Sequence, residues 1–447
     1  MTKEMTHGSP TRLILSFTIP LMLGNIFQQL YSMVDTAIVG RILGTDALAA
    51  VGATGSVTFL IIGFCLGLCS GFAIPLAQCF GRRDYAELRR YLGNAILLLC
   101  LFGLLITVLT VLFCRNILEL MGTPEDIIDE AYAYLVVIFA GIPATLLYNM
   151  ISGIQRALGD SRTPMLFLVA ASVINVVLDI VLIVFIPMGV AGAAMATIIS
   201  QLVGGIACLI FAIRHYDVIH LSKEDLRPRM EYIGPLMNMG LPMALQTSIT
   251  AIGSVILQSS VNALGTTAVA SATAGSKIYY FFDSICGAMG VTMSNYGGQN
   301  IGAKKYDRID KGLRSCCIIG VIYSLIGLAV ILLCGRWLLQ IFVDPSETAI
   351  LDGAYHYLFI NGCFLTPLML VNVVRLTIQG IGFSKIAMFA GVFEMIARGL
   401  TGMLLVPAFG FTAACLAGPI AWLMADSFLI PAYFAVMRHV RRNEGAA

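Results

Sequence analysis

Twelve apolar stretches, each long enough to cross a lipid bilayer, dominate this chain of 447 residues. A membrane-crossing helix needs about 20 apolar residues. Because unpaired backbone polar groups are costly in hydrocarbon, such stretches cross only as helices or closed barrels. Only 12% of the residues are charged, against roughly 25% in soluble proteins. The sequence therefore predicts an all-α membrane protein of twelve transmembrane helices. The stretches cover 13–38, 48–76, 91–114, 130–153, 164–186, 190–213, 233–260, 268–295, 312–334, 350–376, 384–407 and 411–437.

The second half of the chain repeats the first. Several residues recur at a nearly constant spacing: Gly44 with Gly265, Gln78 with Gln299, Tyr85 with Tyr306, and Tyr132 with Tyr355. Six spans in each half make the two copies enter the membrane in the same direction, as a parallel repeat of the kind found in secondary transporters. We expect an N-terminal six-helix bundle over 1–214, a cytoplasmic linker over 215–232 and a C-terminal six-helix bundle over 233–447.

Positive charges predict the orientation. All but five of the Lys and Arg residues fall on one side of the predicted spans. The exceptions are Arg41, Arg115 and Arg336 on the other side, and Lys277 and Arg398 within spans. The positive-inside rule then places both termini in the cytoplasm of a multi-pass protein in a prokaryotic plasma (inner) membrane. Two basic stretches, 82–90 and 304–314, are expected to form short helices in contact with membrane lipid.

Away from the ends of the predicted spans, whose bounds are approximate, the charged side chains are seven: Asp35, Asp179, Asp283, Glu394, Asp426, Lys277 and Arg398. Each charge costs roughly 2.5–3.5 kcal/mol at a helix centre, so such residues mark paired structure or transport.

Asp35 in the first span and Asp179 in the fifth are the strongest candidates for a coupling site. Asn175 lies one helical turn before Asp179, so the two side chains share a face. Two carboxylates in a poorly solvated pocket cannot both ionise cheaply, and the pair can exchange a proton or hold Na⁺. The alternative is that each Asp is satisfied separately by hydrogen bonds in its own surroundings.

The remaining candidates have structural alternatives. Glu394 and Arg398, four residues apart, are expected to form a buried ion pair. Lys277 and Asp283 point to different faces of one helix. Asp426 has no partner nearby in the sequence. Gln246, Tyr279 and Tyr280 could line a substrate path or could simply pack between helices. Pro20 and Pro242 are repeat-equivalent, and each could be a hinge or a static kink.

Several short segments, in order along the whole chain, resemble the multidrug and toxic compound extrusion (MATE) transporters. They are Val34–Gly44, Arg156–Ser161, Gly298–Ala303, Arg375 with Gln379–Gly382, and Gly391–Glu394 with Arg398. The resemblance implies a pair of six-helix bundles around a central cavity and cation-coupled export of organic, often cationic, compounds.

Within that family the chain looks like the DinF branch. The resemblance assigns the coupling site to Asp35, Asn175, Asp179 and Thr197, with H⁺ or Na⁺ as the coupling ion. The NorM-type branch carries acids in spans seven and ten, whereas span seven here offers Gln246. Lys277 departs from the acid expected in close relatives.

We therefore expect an antiporter that exports organic, cationic drugs or toxins by alternating access. A lipid-linked oligosaccharide flippase of the same broad fold is the alternative. No phosphate-binding GxxxxGK[ST] motif occurs, and no catalytic constellation is expected, so the chain should not be an enzyme. We expect no cofactor beyond the coupling ion, a small organic substrate and membrane lipid as partners, no nucleic acid, and a monomer.

Overall fold

A computed structural model describes residues 4–444, and every regular element in that range is helical. Seventeen α-helices, α1 to α17, follow one another along the chain. They are Pro10–Ile38, Thr45–Ala53, Gly55–Arg82, Tyr85–Leu112, Cys114–Leu120, Ile128–Ala140, Ile142–Ala157, Arg162–Ile180, Val190–His215, Met230–Asn262, Thr266–Gly302, Tyr306–Leu339, Thr348–Cys363, Leu365–Gly380, Ser384–Leu400, Val406–Phe409 and Phe411–Glu444. Three π-helical segments, Val39–Leu43, Val181–Phe185 and Thr401–Leu405, continue α1, α8 and α15.

The predicted all-helical membrane fold is confirmed. Among residues 4–444, nine helices are long and apolar enough to cross a membrane, and two bent helix pairs raise the number to as many as eleven. The eighth predicted span coincides with α11, which at 37 residues is long enough but less apolar, because it carries Lys277, Asp283 and many small polar residues. The second predicted span is interrupted at Thr54, whose hydroxyl donates to the Val51 carbonyl at 2.7 Å, so α2 and α3 are separate helices.

The fourth and tenth predicted spans are both bent. Helices α6 and α7 meet at 45°, and α13 and α14 meet at 52°. Pro143 stands at the start of α7, where its missing N–H is tolerated but where it cannot continue the preceding helix. Pro367 stands near the start of α14. The bend is thus a repeated feature with a similar cause in both halves.

The duplication is also visible in the backbone. Positive φ angles occur at equivalent positions of the two halves: Gly44 and Gly265, Arg83 and Lys304, Gly159 and Gly382, and Gly189 and Gly410. Arg83 and Lys304 have φ of 61° and 59° and lie in the tight turns that join α3 to α4 and α11 to α12. The expected surface helices over 82–90 and 304–314 are therefore wrong, because each stretch is a left-handed turn followed by the start of a long helix.

The chain forms two compact units, residues 4 and 19–244, and residues 5–18 and 245–444. These units differ from the predicted bundles in two places, the N-terminal segment 5–18 and the start of α10. The N-terminal segment belongs to the second unit, where the Met5 N–H donates to Gln299 Oε1 at 2.7 Å and Thr18 bonds Thr292 at 2.8 Å.

The start of α10 belongs to the first unit. A Cβ at Gly71 or Gly67 would overlap the backbone at Gly240 or Ala244, so these glycines allow α3 and α10 to approach closely. The boundaries between the two units fall within α1 close to Pro20 and within α10 close to Pro242. Their role as hinges stays a prediction.

Candidate functional site

In the first unit, the structure brings Asp35 on α1 together with Asp179 on α8. The two carboxyl groups interact electrostatically with one another. Asn175 lies one turn before Asp179, and both side chains are buried, with Asp179 fully shielded. The alternative of separately satisfied aspartates does not describe this arrangement: the two carboxyl groups lie within hydrogen-bond reach of each other, and no other residue within 4–444 bonds Asp35 Oδ1, either Asp179 oxygen or the Asn175 amide.

Unpaired buried polar atoms are rare in native structures. Here five atoms on Asp35, Asp179 and Asn175 are left without a partner by the described part of the chain. Four of them are oxygens, the ligand type that Na⁺-like hard cations prefer, and a proton on one carboxyl would also reduce the repulsion. The donor set therefore fits a monovalent cation.

An apolar cluster lies one helical turn beyond the two aspartates. Val39 follows Asp35 by four residues, and Ile183 follows Asp179 by four. Val39 is 1% exposed and Ile183 is 3% exposed, and both belong to the same packed cluster. Because residues four apart in a helix share a face, the faces that carry the carboxylates meet at this cluster.

Thr197 lies on α9, one helical turn after Ala193. Its hydroxyl donates to the Ala193 carbonyl at 3.1 Å, and Ala193 belongs to the apolar cluster with Val39 and Ile183. The hydroxyl proton of Thr197 is thus committed within α9, while its oxygen keeps lone pairs. A direct contact between Thr197 and the aspartates stays a prediction.

π-helical turns begin directly after both acidic turns. Val39–Leu43 follows the end of α1, and Val181–Phe185 follows the end of α8. Such turns occur often at functional sites, because the extra residue rotates the helix face that follows. Thr401–Leu405 is the counterpart of the second segment in the other half. Sequence reasoning missed these segments, and no side-chain pattern in them indicates their geometry.

Two tyrosines near the aspartates were also missed. Tyr31 lies one turn before Asp35 on α1, and Tyr134 lies on α6 and packs against the apolar cluster. Both rings are in electrostatic contact with Asp35 and Asp179. The spacing of Tyr31 from Asp35 could have indicated the first, whereas Tyr134 reaches the site only through tertiary packing.

The second unit contains a separate group of buried charges. Glu394 on α15 accepts from Arg375 on α14 at 2.8 Å and contacts Arg398, on its own helix, at 3.4 Å. The predicted pair of Glu394 and Arg398 is present. Sequence reasoning assigned Arg375 to the cytoplasmic loops, which is wrong, because its side chain is buried against Glu394. The error arose because Arg375 lies near the end of an apolar stretch.

The two remaining acids of the second unit lie around this pair. Asp283 on α11 is in electrostatic contact with Arg375, Arg398 and Glu394. Asp426 on α17 is in electrostatic contact with Glu394 and Arg375, and its Oδ1 has no hydrogen-bond partner in the described chain.

Aromatic rings lie one turn from both acids. Tyr279, four residues before Asp283, stacks on Trp422, four residues before Asp426, with ring centroids 5.9 Å apart. Tyr280, adjacent in sequence, is 50% exposed. Lys277 is exposed and so points away from Asp283, as their spacing predicts.

Gln246 on α10 is engaged within the second unit. Its Oε1 accepts from Gln379 Nε2 at 2.7 Å, and both side chains are buried. This interhelical hydrogen bond gives Gln246 a structural contact in α10, and a role in binding substrate stays a prediction.

Comparison with known proteins decides the family. The MatE family matches residues 20–181 and 242–404, which together cover most of the chain. This protein belongs to the MATE family of transporters. The two matched segments begin at Pro20 and Pro242, in agreement with the repeat read from the sequence. The DinF branch within the MATE family stays a prediction.

Curated relatives of this MATE protein are named as multidrug resistance proteins. Two from Bacillus subtilis (strain 168) are the probable multidrug resistance proteins YpnP and YoeA. YpnP is 30% identical over 83% of this chain and 82% of its own length. YoeA is 28% identical over 78% of this chain and 77% of its own length. The chain is therefore a multi-pass membrane transporter with relatives that are named for multidrug resistance.

A solved MATE structure shares the fold. The crystal structure of MATE in complex with MaL6 aligns with a TM-score of 0.92, covering 99% of this chain and 100% of that chain at 23% identity. At that level of identity the likeness establishes the MATE fold, and the chemistry must be argued from the residues of this chain.

Proposed function

We propose that this MATE protein is a cation-coupled antiporter that exports small organic, cationic compounds by alternating access. It acts as a monomer in a prokaryotic plasma membrane, with both termini in the cytoplasm. The single observation that carries this proposal is the set of unpaired buried atoms on Asp35, Asp179 and Asn175. The names of the multidrug-resistance relatives support the substrate class.

The free-energy cost of leaving these polar atoms without partners favours a bound cation. Leaving a buried polar group unsatisfied costs about 1–3 kcal/mol, and more for a charged group. Asp35 and Asp179 share one poorly solvated space, so two negative charges there repel each other. One H⁺ or Na⁺ compensates one of the two negative charges and so reduces the repulsion between the carboxylates. Na⁺ could also take oxygen ligands from Asn175 and Thr197.

The position of the site suggests how cation binding acts on the helices. The repulsion between the carboxylates acts on α1 and α8 one turn from Val39 and Ile183. Neutralisation removes that repulsion and stabilises the packed cluster, while loss of the cation destabilises it. The cation thereby shifts the equilibrium between two arrangements, to the extent that it binds one of them better.

The concentration gradient of the coupling ion supplies the energy for export of a singly charged cationic substrate, because one-for-one exchange moves no net charge across the membrane. A tenfold ion gradient supplies about 1.4 kcal/mol and supports a tenfold substrate gradient, whereas a neutral substrate would gain a further 2.3 kcal/mol or so from about 100 mV. The flippase alternative would require unpaired cations for an anionic lipid headgroup. Arg375 and Arg398 are paired with Glu394, so no observation on these residues favours it.

The test is efflux of a fluorescent organic cation from proteoliposomes under an imposed pH or Na⁺ gradient. Asp35→Asn and Asp179→Asn should each abolish the gradient-driven part, and the double variant should be no worse than either, because both residues serve one site. Asp129→Asn, in an exposed ion pair with Arg115, is the matched control and should export normally. Undiminished gradient-driven efflux in both single variants would overturn the proposal, and the gradient that drives wild-type efflux identifies the cation.

A further inference from the structure

The buried charges of the second unit do not balance. Glu394 and Asp283 contribute two negative charges, and Arg375 and Arg398 contribute two positive charges. These four groups together are neutral when ionised. One further acid, Asp426, makes three acids against two arginines, so one acid is in surplus. Neither Asp283 nor Asp426 forms an ion pair with an arginine among the described residues, and Asp426 is the more shielded of the two, at 6% exposed against a half-buried Asp283.

Asp426 has the surroundings of a group that is not held by a fixed partner. The residue is 6% exposed, and no hydrogen bond from the described chain reaches its Oδ1. Arg375 is the cation in electrostatic contact with it, but Arg375 donates to Glu394 at 2.8 Å and reaches Asn372 Oδ1 at 3.5 Å. The Nη atoms of Arg375 are therefore engaged by Glu394 and Asn372, while its Nε has no hydrogen-bond partner in the described chain.

Three helices bring a charged or titratable group near this carboxyl. The charged or titratable groups facing it are Glu394 from α15, Arg375 from α14 and the thiol of Cys317 from α12. Helix α11 contributes the Tyr279 ring, which stacks on Trp422 one turn before Asp426. Glu394 repels a charge on Asp426, Arg375 attracts it, and the thiol and the ring contribute no fixed charge.

We propose that Asp426 is a proton-carrying residue of the second unit, separate from the site of Asp35 and Asp179. Na⁺ requires several converging oxygen ligands, and the groups that interact electrostatically with Asp426 are a guanidinium, a thiol and a carboxylate that is already bound by two arginines. A proton requires only one oxygen. An O–H bond forms at the carboxylate when a proton arrives from water, and the same bond breaks when the proton returns to water. The net charge of the cluster changes from −1 to zero.

The consequence for transport rests on the proposed antiport. If Asp35 and Asp179 carry one coupled cation, Asp426 adds one proton per cycle. Proton binding by Asp426 itself is measured on the resting protein, so it can be tested whether or not the first site couples to export.

The first experiment is pH-difference infrared spectroscopy of the purified, intact protein. The measurement uses the Asp35→Asn, Asp179→Asn double variant, which removes the carboxyl groups of the first site. This protein should show a carboxylic-acid carbonyl band that changes with pH, and adding Asp426→Asn should remove that band. Asp352→Asn, which removes an exposed acid paired with Arg336, should keep it. Should Asp426→Asn not fold, Asp426→Glu provides the test. The carbonyl band should then shift in frequency, because a protonated Glu absorbs at a different frequency from a protonated Asp. A band that stays unchanged in Asp426→Asn, or that does not move in Asp426→Glu, would overturn the proposal.

The second experiment counts cations per exported substrate from the reversal potential in proteoliposomes. Asp426→Asn should lower the count by one while efflux remains sensitive to Asp35→Asn, and Asp426→Glu should retain the wild-type count. An unchanged count in Asp426→Asn would contradict a proton-carrying role in the cycle. The two readouts are independent of each other. Gradient-driven efflux in Asp35→Asn tests the first site, and the infrared band tests Asp426, so failure of one proposal can be told from failure of the other.

Discussion

Val39, four residues beyond the half-buried Asp35, and Ile183, four residues beyond the buried Asp179, pack into the same apolar cluster. This contact joins the ends of α1 and α8 directly beside the carboxyl groups of Asp35 and Asp179. A change in charge at the aspartates therefore acts on side chains one helical turn away, which is a short and mechanically direct path from cation binding to helix packing.

Truncation of Ile183 should destabilise the first unit. Ile183→Ala removes a side chain that is 3% exposed and leaves a cavity, with an expected cost of about 2–5 kcal/mol. Phe185→Ala, in the same π-helical segment but 75% exposed, is the matched control and should cost far less. The midpoint of thermal unfolding in detergent measures both. Equal shifts for the two variants would mean that the cluster does not hold the helices together.

Removal of the Glu394 charge should be costly because it leaves two guanidinium groups without their carboxylate. We expect Glu394→Gln to lower the stability of the protein by about 3–5 kcal/mol, as for other broken buried ion pairs. Glu119→Gln, which breaks an exposed pair with Arg115, should cost no more than about 1 kcal/mol. Adding Arg398→Gln to Glu394→Gln should recover part of the loss. Chemical denaturation of the purified variants tests this ranking, and similar losses for Glu394→Gln and Glu119→Gln would contradict it.

Asp160, between α7 and α8, should make stability depend on acid pH. Burial alone would raise the pKa of Asp160, but the hydrogen bonds to its carboxylate, which include those from Thr163 and from the Tyr216 hydroxyl at 2.7 Å, lower the pKa below its ordinary value. A lowered folded-state pKa means that the stabilisation is fully present above the unfolded value, about 3.9, and is lost as the pH falls through the folded value.

Asp160→Asn should therefore destabilise the protein at neutral pH, by about 1–2 kcal/mol, because the amide nitrogen that replaces Oδ2 cannot accept from the hydroxyls of Thr163 and Tyr216. The retained Oδ1 can still accept from the first backbone N–H groups of α8. The difference from wild type should shrink on acidification below about pH 4. Asp126→Asn, at an exposed position before α6, is the control. Unfolding midpoints measured across pH check the result, and a difference that is constant with pH would show that the carboxylate charge plays no part.

Much of the architecture could be predicted because it depends on local chemistry. Long apolar stretches specify the helices, and the recurrence of Gly44 as Gly265 indicated a duplication that the backbone repeats with φ of 96° at both glycines. The four-residue spacing of Glu394 and Arg398 is enough to predict their contact, because one helical turn brings them together.

The partners that come from other helices could not be predicted. Arg375 contacts Glu394 from α14, Tyr134 reaches the aspartates from α6, and the start of α10 packs in the first unit against Gly71. The sequence by itself determined that acidic groups would be buried in a helical membrane protein built from two copies of one unit. Only the tertiary structure decided which acids meet and which are neutralised, because the rotation and depth of each helix depend on side-chain packing between segments distant in the chain.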